Sequence, residues 1–221
     1  MKWLFWMPKL TYSLILYILF SELVKFMKST LKQIQIQNRG YLFTSKAEQA
    51  GISRQSIINY AKSEGLEQVC PGIYVSKDIF PDSFLILSFK NKGIVFSNET
   101  ALYLHGLSER EPSQIHVSVR FGYNASHLKK KGVVVHTSIE KLFELGISEA
   151  ETNYGNAVPT YDLERTLCDM VRGRKTMEEQ AFFHAWRQYA KRKDKKLQLL
   201  LEYAEKLRVE KQVKEYLKML L

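Results

Sequence analysis

A small residue, a glycine and a β-branched residue at Ala47, Gly51 and Ile57, spaced four and six apart, constrain this chain more than any other feature. Two helices crossing at a sharp angle need a small side chain where they touch. They also need a glycine free to take positive φ in the turn, and a branched apolar residue packing back from the second helix. Ile52 supplies the apolar position just after the turn, and Ser53 is an N-cap for a helix running to about Ser63, with Gly65 beyond its end. Ahead of this pair, Lys28 to Gln37 reads as a helix stopped at Asn38-Arg39-Gly40, and Thr44 or Ser45 as the cap of the short helix between. Two extended runs follow, near Gln68 to Val69 and Ile73 to Val75, and Cys70-Pro71-Gly72 between them predicts a hairpin. Two crossed helices with a β-hairpin behind them predict a winged helix-turn-helix over residues 27–80.

With Ile57, Ile58 and Ala61 turned inward or to the flank, the third helix presents Arg54, Gln55, Ser56, Asn59 and Lys62, together with Ser53 at its start. Arg pairs with guanine, and Gln or Asn with adenine, in the major groove, so this face reads as a DNA-reading surface; its plainer alternative is a solvated helix face. Lys46 and Tyr74 are assigned to backbone phosphate. Glu64 and Glu67 keep the far end of the helix out of the footprint. The charge agrees: 33 Lys and Arg against 23 Asp and Glu leave +10, which favours a polyanionic partner without choosing among DNA, RNA, lipid and acidic protein.

Residues 1–26 hold an apolar stretch, broken at Pro8 and Lys9 and clean only from Leu10 to Phe20. No small-residue cleavage site follows Phe20, and the clean run is short for a membrane span. Three readings stay open: a translation start at Met27, a membrane anchor, or an extra packed helix. These residues carry three lysines and one glutamate, so most of the basic charge belongs to the rest of the chain.

Residues 84–221 predict a mixed α/β domain ending in a helical bundle, so the whole reads as α+β. Leu85 to Phe89 and Ile94 to Phe96 are apolar runs, and Ser97 or Asn98 caps a helix ending at His105-Gly106. Ile115 to Val119 alternates like a half-buried strand, and Gly132 to Val135 reads as another, after a turn holding Lys129 to Lys131. Thr160 opens a helix to about Arg172. Thr176 and Glu179 form a capping box for the next, whose apolar face is Phe182, Ala185, Trp186 and Tyr189. Asp194 caps a helix with Leu197, Leu200, Leu201, Ala204 and Leu207 in step, and Val213, Tyr216, Leu217 and Leu220 continue the pattern.

Gly40-Tyr-Leu-Phe-Thr44, Ala50-Gly-Ile-Ser53, Val69-Cys-Pro-Gly-Ile-Tyr74, Ser97-Asn-Glu-Thr-Ala-Leu-Tyr-Leu-His-Gly-Leu107 and Tyr161-Asp-Leu-Glu-Arg-Thr-Leu-Cys-Asp169, in that order, resemble the AbiEi antitoxins of type IV toxin-antitoxin systems. The resemblance covers roughly residues 28–221. It implies an N-terminal winged helix-turn-helix repressing its own operon at inverted repeats. It further implies a C-terminal domain that counteracts a nucleotidyltransferase-like toxin, AbiEii, in abortive infection against phage, without a stable complex between the two. The hydrophobic leader departs from the family pattern.

In the second domain Asp162, Glu164 and Asp169 admit a metal-dependent nucleic-acid-processing enzyme. However, Asp162, Arg165 and Asp169 fall three and four apart, the spacing of intrahelical ion pairs. Arg165, Asp169 and Arg172 are the residues assigned to antitoxin function. His105, His116, His127, His136 and His184 show no paired-ligand spacing, and His105 fits a helix end where a cation is favoured. No metal, cofactor or catalytic residue is expected, and Cys70 and Cys168 read as reduced thiols of a cytoplasmic protein. The basic runs Lys129 to Lys131, Arg172 to Lys175 and Lys191 to Lys196 are solvated faces, or an RNA contact if they converge. A rival from another class is a winged-helix regulator whose second domain senses a ligand or dimerises. A membrane partner enters only through the leader.

Overall fold

The computed structural model describes residues 7–174 and 177–220. Among them the chain is mixed α+β, with eleven helices and two sheets. It divides into two compact units, 1–81 and 82–221.

In the first unit, α1 (Met7–Gln37) leads to β1 (Tyr41–Phe43), α2 (Thr44–Gln49), α3 (Arg54–Ser63), β2 (Glu67–Cys70) and β3 (Ile73–Val75). The three strands form an antiparallel sheet in the order β1-β3-β2. The core joins Leu31 of α1, Leu42 of β1, Ala47 of α2, Ile52 of the turn, and Ile57 and Tyr60 of α3. Ala47 and Ile57 are wholly buried, as the small and branched positions require, and Gly51 takes φ +80°. Ser53 caps α3 by accepting the Ser56 N–H. The cap expected at Thr44 or Ser45 is absent: α2 starts at Thr44 directly from β1, with Phe43 at the N-cap position and no side-chain cap. The helix expected to begin at Lys28 is the last third of α1, which runs unbroken from within the leader because Ser21 to Met27 carries no glycine or proline to stop it. Gly40 takes a φ of +85°, which favours glycine, and a Cβ there would have to displace the tip of the Ile79 side chain.

The second unit comprises α4 (Ser83–Lys90), β4 (Val95–Phe96), α5 (Asn98–Leu104), β5 (His116–Arg120), α6 (Ser126–Lys129), β6 (Val134–Ser138), α7 (Glu140–Phe143), β7 (Ile147–Glu151), β8 (Ala157–Tyr161), α8 (Leu163–Arg172), α9 (Glu179–Lys191), α10 (Leu197–Lys206) and α11 (Glu210–Leu220). Its sheet runs β6-β5-β4-β8-β7, parallel at β6/β5 and β4/β8 and antiparallel elsewhere. The apolar run at Leu85 to Phe89 is a helix, capped by the fully buried Asp82. Its carboxylate accepts from the Phe84 and Leu85 N–H groups, the Thr152 hydroxyl and the Asn156 amide.

Thr160 does not open a helix. It ends a strand with Tyr161, its hydroxyl donating to Phe96 O, and Asp162 caps α8 by accepting the Arg165 N–H at 2.8 Å. Asp194 does not cap α10, whose N-cap position is Lys196; it pairs with Arg192 at 2.7 Å. Thr176 lies outside the described residues, and Glu178, at the N-cap of α9, makes no capping bond. The apolar face Phe182, Ala185, Trp186 and Tyr189 is buried against Leu200, Ala204 and Val213, which packs α8 to α11 around one helical core.

Candidate functional site

Each unit carries its own cluster of candidate residues. On α3, Ile57, Tyr60 and Ala61 face the core. Gln55, Asn59 and Lys62, four and three apart, share the opposite face and are exposed. Gln55 Nε2 donates to Asn59 Oδ1 at 3.0 Å, which aligns two amide side chains along the outer surface. Arg54 is exposed on the first turn, and the Ser53 and Ser56 hydroxyls lie 2.9 Å apart at the helix start. All six sequence-predicted readers therefore lie on the outer surface or N-terminal end of one helix. The two residues assigned to phosphate have other engagements. Lys46 bonds Asn38 and lies 5.1 Å over the Phe43 ring, and Tyr74 is half-buried against the core of the unit.

In the second unit the functional geometry comes from strand alternation. Val117, Val119 and Val135 join Phe84, Ile94 and Phe96 in an apolar cluster on one side of the sheet. Period-two alternation sends His116, Ser118, His136 and Ser138 to the opposite side. There a helix covers the sheet, yet the facing residues are polar. With Arg165, Asp169, Arg172 and Gly173 of the α8 end and with Asn98 and Glu99 of α5, they line a cleft of about 480 Å³, within the range of small-molecule sites. The His116 and His136 rings stack with centroids 5.4 Å apart and ring nitrogens 3.3 Å apart, and Glu99 stands 3.9 Å from the far nitrogen of His116. Burial holds both imidazoles below their ordinary pKa, so they present neutral donors and acceptors. Asn98 holds φ +49° at the edge of the cleft, a strained conformation for a residue with a side chain.

Arg165 is 1% exposed. Its Nε meets Asp169 Oδ2 at 2.9 Å, Nη1 donates to the carbonyls of Leu142 and Leu145, and the guanidinium lies 4.2 Å over the Tyr161 ring. Burial raises the Asp169 carboxyl above its ordinary pKa against the opposing pull of Arg165 and Arg172. Arg172, 3.5 Å from Asp169 and 45% exposed, reaches solvent. The three residues assigned to antitoxin function thus meet in one place, with Arg165 and Asp169 as its buried frame and Arg172 as its accessible charge.

The carboxylates considered for catalysis do not converge. Asp162 caps α8 and accepts from Tyr203 OH, and Glu164 accepts from Tyr189 OH and the Lys196 N–H. Among the described residues no group of three His, Cys, Asp or Glu is placed to hold a metal. His105 was expected to favour a cation at a helix end. It instead donates to Tyr161 O at 2.6 Å, and burial lowers its pKa. Cys70 and Cys168 are both buried, and burial pushes the Cys168 thiol up to about 12. Of the basic runs, Lys191 to Lys196 is partly committed internally, with Lys195 donating to the Ala190 and Arg192 carbonyls. Lys175 lies outside the described residues. Sequence reasoning missed His116, His136, Asn98 and Glu99 as cleft residues. The alternation of polar His116 and Ser118 with Val117 and Val119 was the available signal.

The fold defines an α+β protein of two units, with an exposed polar helix face in one and a polar cleft under a helix in the other. The chain is similar to the crystal structure of the RV2827C protein from Mycobacterium tuberculosis, at TM-score 0.50 and 13% sequence identity over 80% of this chain and 70% of that one. At that identity the likeness concerns the fold alone. No family model and no curated protein matches the chain. Among the described residues no helix is long and apolar enough to cross a membrane.

Proposed function

We propose that this protein is the antitoxin of a type IV toxin-antitoxin pair. In this reading the first unit is a winged helix-turn-helix that binds inverted repeats in operator DNA and represses its own operon. The second counteracts a nucleotidyltransferase-like toxin without holding it in a stable complex. The observation that carries the DNA-binding half is the pairing of α2 and α3 through Gly51 at φ +80°, with the β2–β3 hairpin behind them and the exposed polar residues Gln55, Asn59 and Lys62 on one face of α3. The chain's +10 charge supplies the electrostatic attraction such a surface needs.

The antitoxin half rests on the AbiEi resemblance. It draws support from the way two stretches carrying that resemblance, Ser97 to Leu107 and Tyr161 to Asp169, meet through the His105 to Tyr161 hydrogen bond and together line the cleft. Arg165, Asp169 and Arg172 would act there, Arg172 as the contacting group.

Gel shift at fixed salt on the upstream inverted repeats tests the first half. Arg54→Ala and Asn59→Ala each weaken binding by about 1 to 3 kcal/mol for a lost base contact. Wild-type affinity in both variants removes α3 from the reading role. Growth rescue on co-expression with the toxin tests the second: the full chain restores growth and Arg172→Ala restores less. The cleft favours one second reading, a winged-helix regulator whose C-terminal unit senses a small polar ligand. Failure of the full chain to rescue, with DNA binding intact, selects it.

A further inference from the structure

The two ends of α1 are built differently. From Ser21 onward, Ser21, Val24, Met27, Thr30, Leu31, Ile34 and Gln35 recur at helical spacing as the less exposed positions, ending in the wholly buried Leu31. That is an ordinary packed stripe. Over Leu14, Ile15, Leu16, Tyr17, Ile18, Leu19 and Phe20 no stripe exists: seven consecutive residues, nearly two full turns, are each 52–72% exposed, and all are apolar or aromatic. Leu23 and Phe26 extend the exposed apolar surface to the next two turns.

A protein partner, or a second copy of this chain, packed against one flank of a helix leaves its other side in water. A surface apolar around its whole circumference matches an environment that surrounds it, and hydrocarbon does so. Lys25, Lys28 and Lys32, three and four apart, follow on one flank of the same helix, all exposed, with Lys25 paired to Glu22 at 2.8 Å. Basic residues just beyond an apolar helix meet anionic headgroups.

We propose that the Leu14 to Phe20 stretch of α1 inserts into the hydrocarbon of an anionic lipid bilayer, with Lys25, Lys28 and Lys32 at the headgroups. This docking is independent of what α3 binds, so its failure and that of the DNA-binding reading are separable.

Co-sedimentation of the full chain with vesicles tests it. The chain pellets with phosphatidylcholine vesicles containing anionic phosphatidylglycerol, and more weakly with phosphatidylcholine alone. Lys28→Gln and Lys32→Gln each lower affinity for the anionic vesicles about fivefold. The double variant Leu16→Asp/Leu19→Asp abolishes pelleting. Both side chains are largely exposed, at 67% and 62%, so its thermal unfolding matches wild type. Wild-type chain remaining in the supernatant with both vesicle types overturns the proposal, as does undiminished pelleting of the double variant. A concentration-dependent dimer that the double variant dissolves, without vesicle binding, makes a second copy the occupant and overturns it equally.

Discussion

Replacing Arg165 with methionine strips Asp169 of its 2.9 Å partner inside a site where that carboxylate is only 10% exposed. A buried charge left wholly without a partner costs about 3 to 5 kcal/mol; Arg172 stays 3.5 Å from Asp169, so urea denaturation of Arg165→Met should show a loss at or below that range. Arg165→Met/Asp169→Leu should recover most of it, because removing both charges removes the desolvation penalty too. Gly146 belongs to the same arrangement: it holds φ +77°, and a Cβ there would sit 2.7 Å from Arg165 Cβ. Gly146→Ala therefore meets both backbone strain and a displaced arginine, and should destabilise by at least about 1 kcal/mol. A loss below that would mean that the α7–β7 turn gives way easily. The sequence made the Arg165 to Asp169 pair legible through its spacing. It could not show that two backbone carbonyls and a tyrosine ring, all outside α8, complete the arginine's surroundings, because those partners are assembled by the topology.

Ser53 is where an element begins for a reason visible in the sequence, and Ser53→Ala should cost about 1 kcal/mol by thermal unfolding, the usual worth of an N-cap bond. If the proposed DNA-binding role of α3 holds, fraying the first turn, which carries Arg54, should also weaken operator binding. Elements with strong local signals were legible: α3 with its cap and glycine, the β2–β3 hairpin with its Pro-Gly tip, and α9 to α11 with their apolar faces at helical spacing. Others were not, for physical reasons. Leu85 to Phe89 is apolar without helical or strand period, and only the Asp82 cap one residue ahead of α4 decides it. Thr160 resembles a helix cap, but its β-branched neighbourhood pairs with β4 and β7, and the cap falls to Asp162 two residues on. The cleft was half legible. Its helical wall came from the Arg165, Asp169 and Arg172 spacing. Its strand wall needed the parallel β5/β6 register, which a single strand's sequence does not carry.

Over the whole molecule, three histidines, His105, His116 and His136, are held below their ordinary pKa of 6.5, mainly by burial. The unfolded chain takes up protons near that value while the folded chain refuses them. The stability contribution is therefore fully present above about pH 6.5 and is lost as pH falls toward the folded values. Thermal unfolding from about pH 7 down to about 5 should show a midpoint that holds near pH 7 and drops below about 6.5, and His116→Gln/His136→Gln should flatten that slope. A slope unchanged in the double variant would place the proton uptake elsewhere. A mechanical consequence attaches to α1. Its 31 residues form one uninterrupted helix, about 46 Å long at 1.5 Å per residue, with Leu31 wedged into the core that also seats α3. A load applied near Leu16 acts on the same continuous helix that seats Leu31 in that core. Whatever grips the outer half of this helix thereby holds a lever on the unit that carries the exposed face of α3.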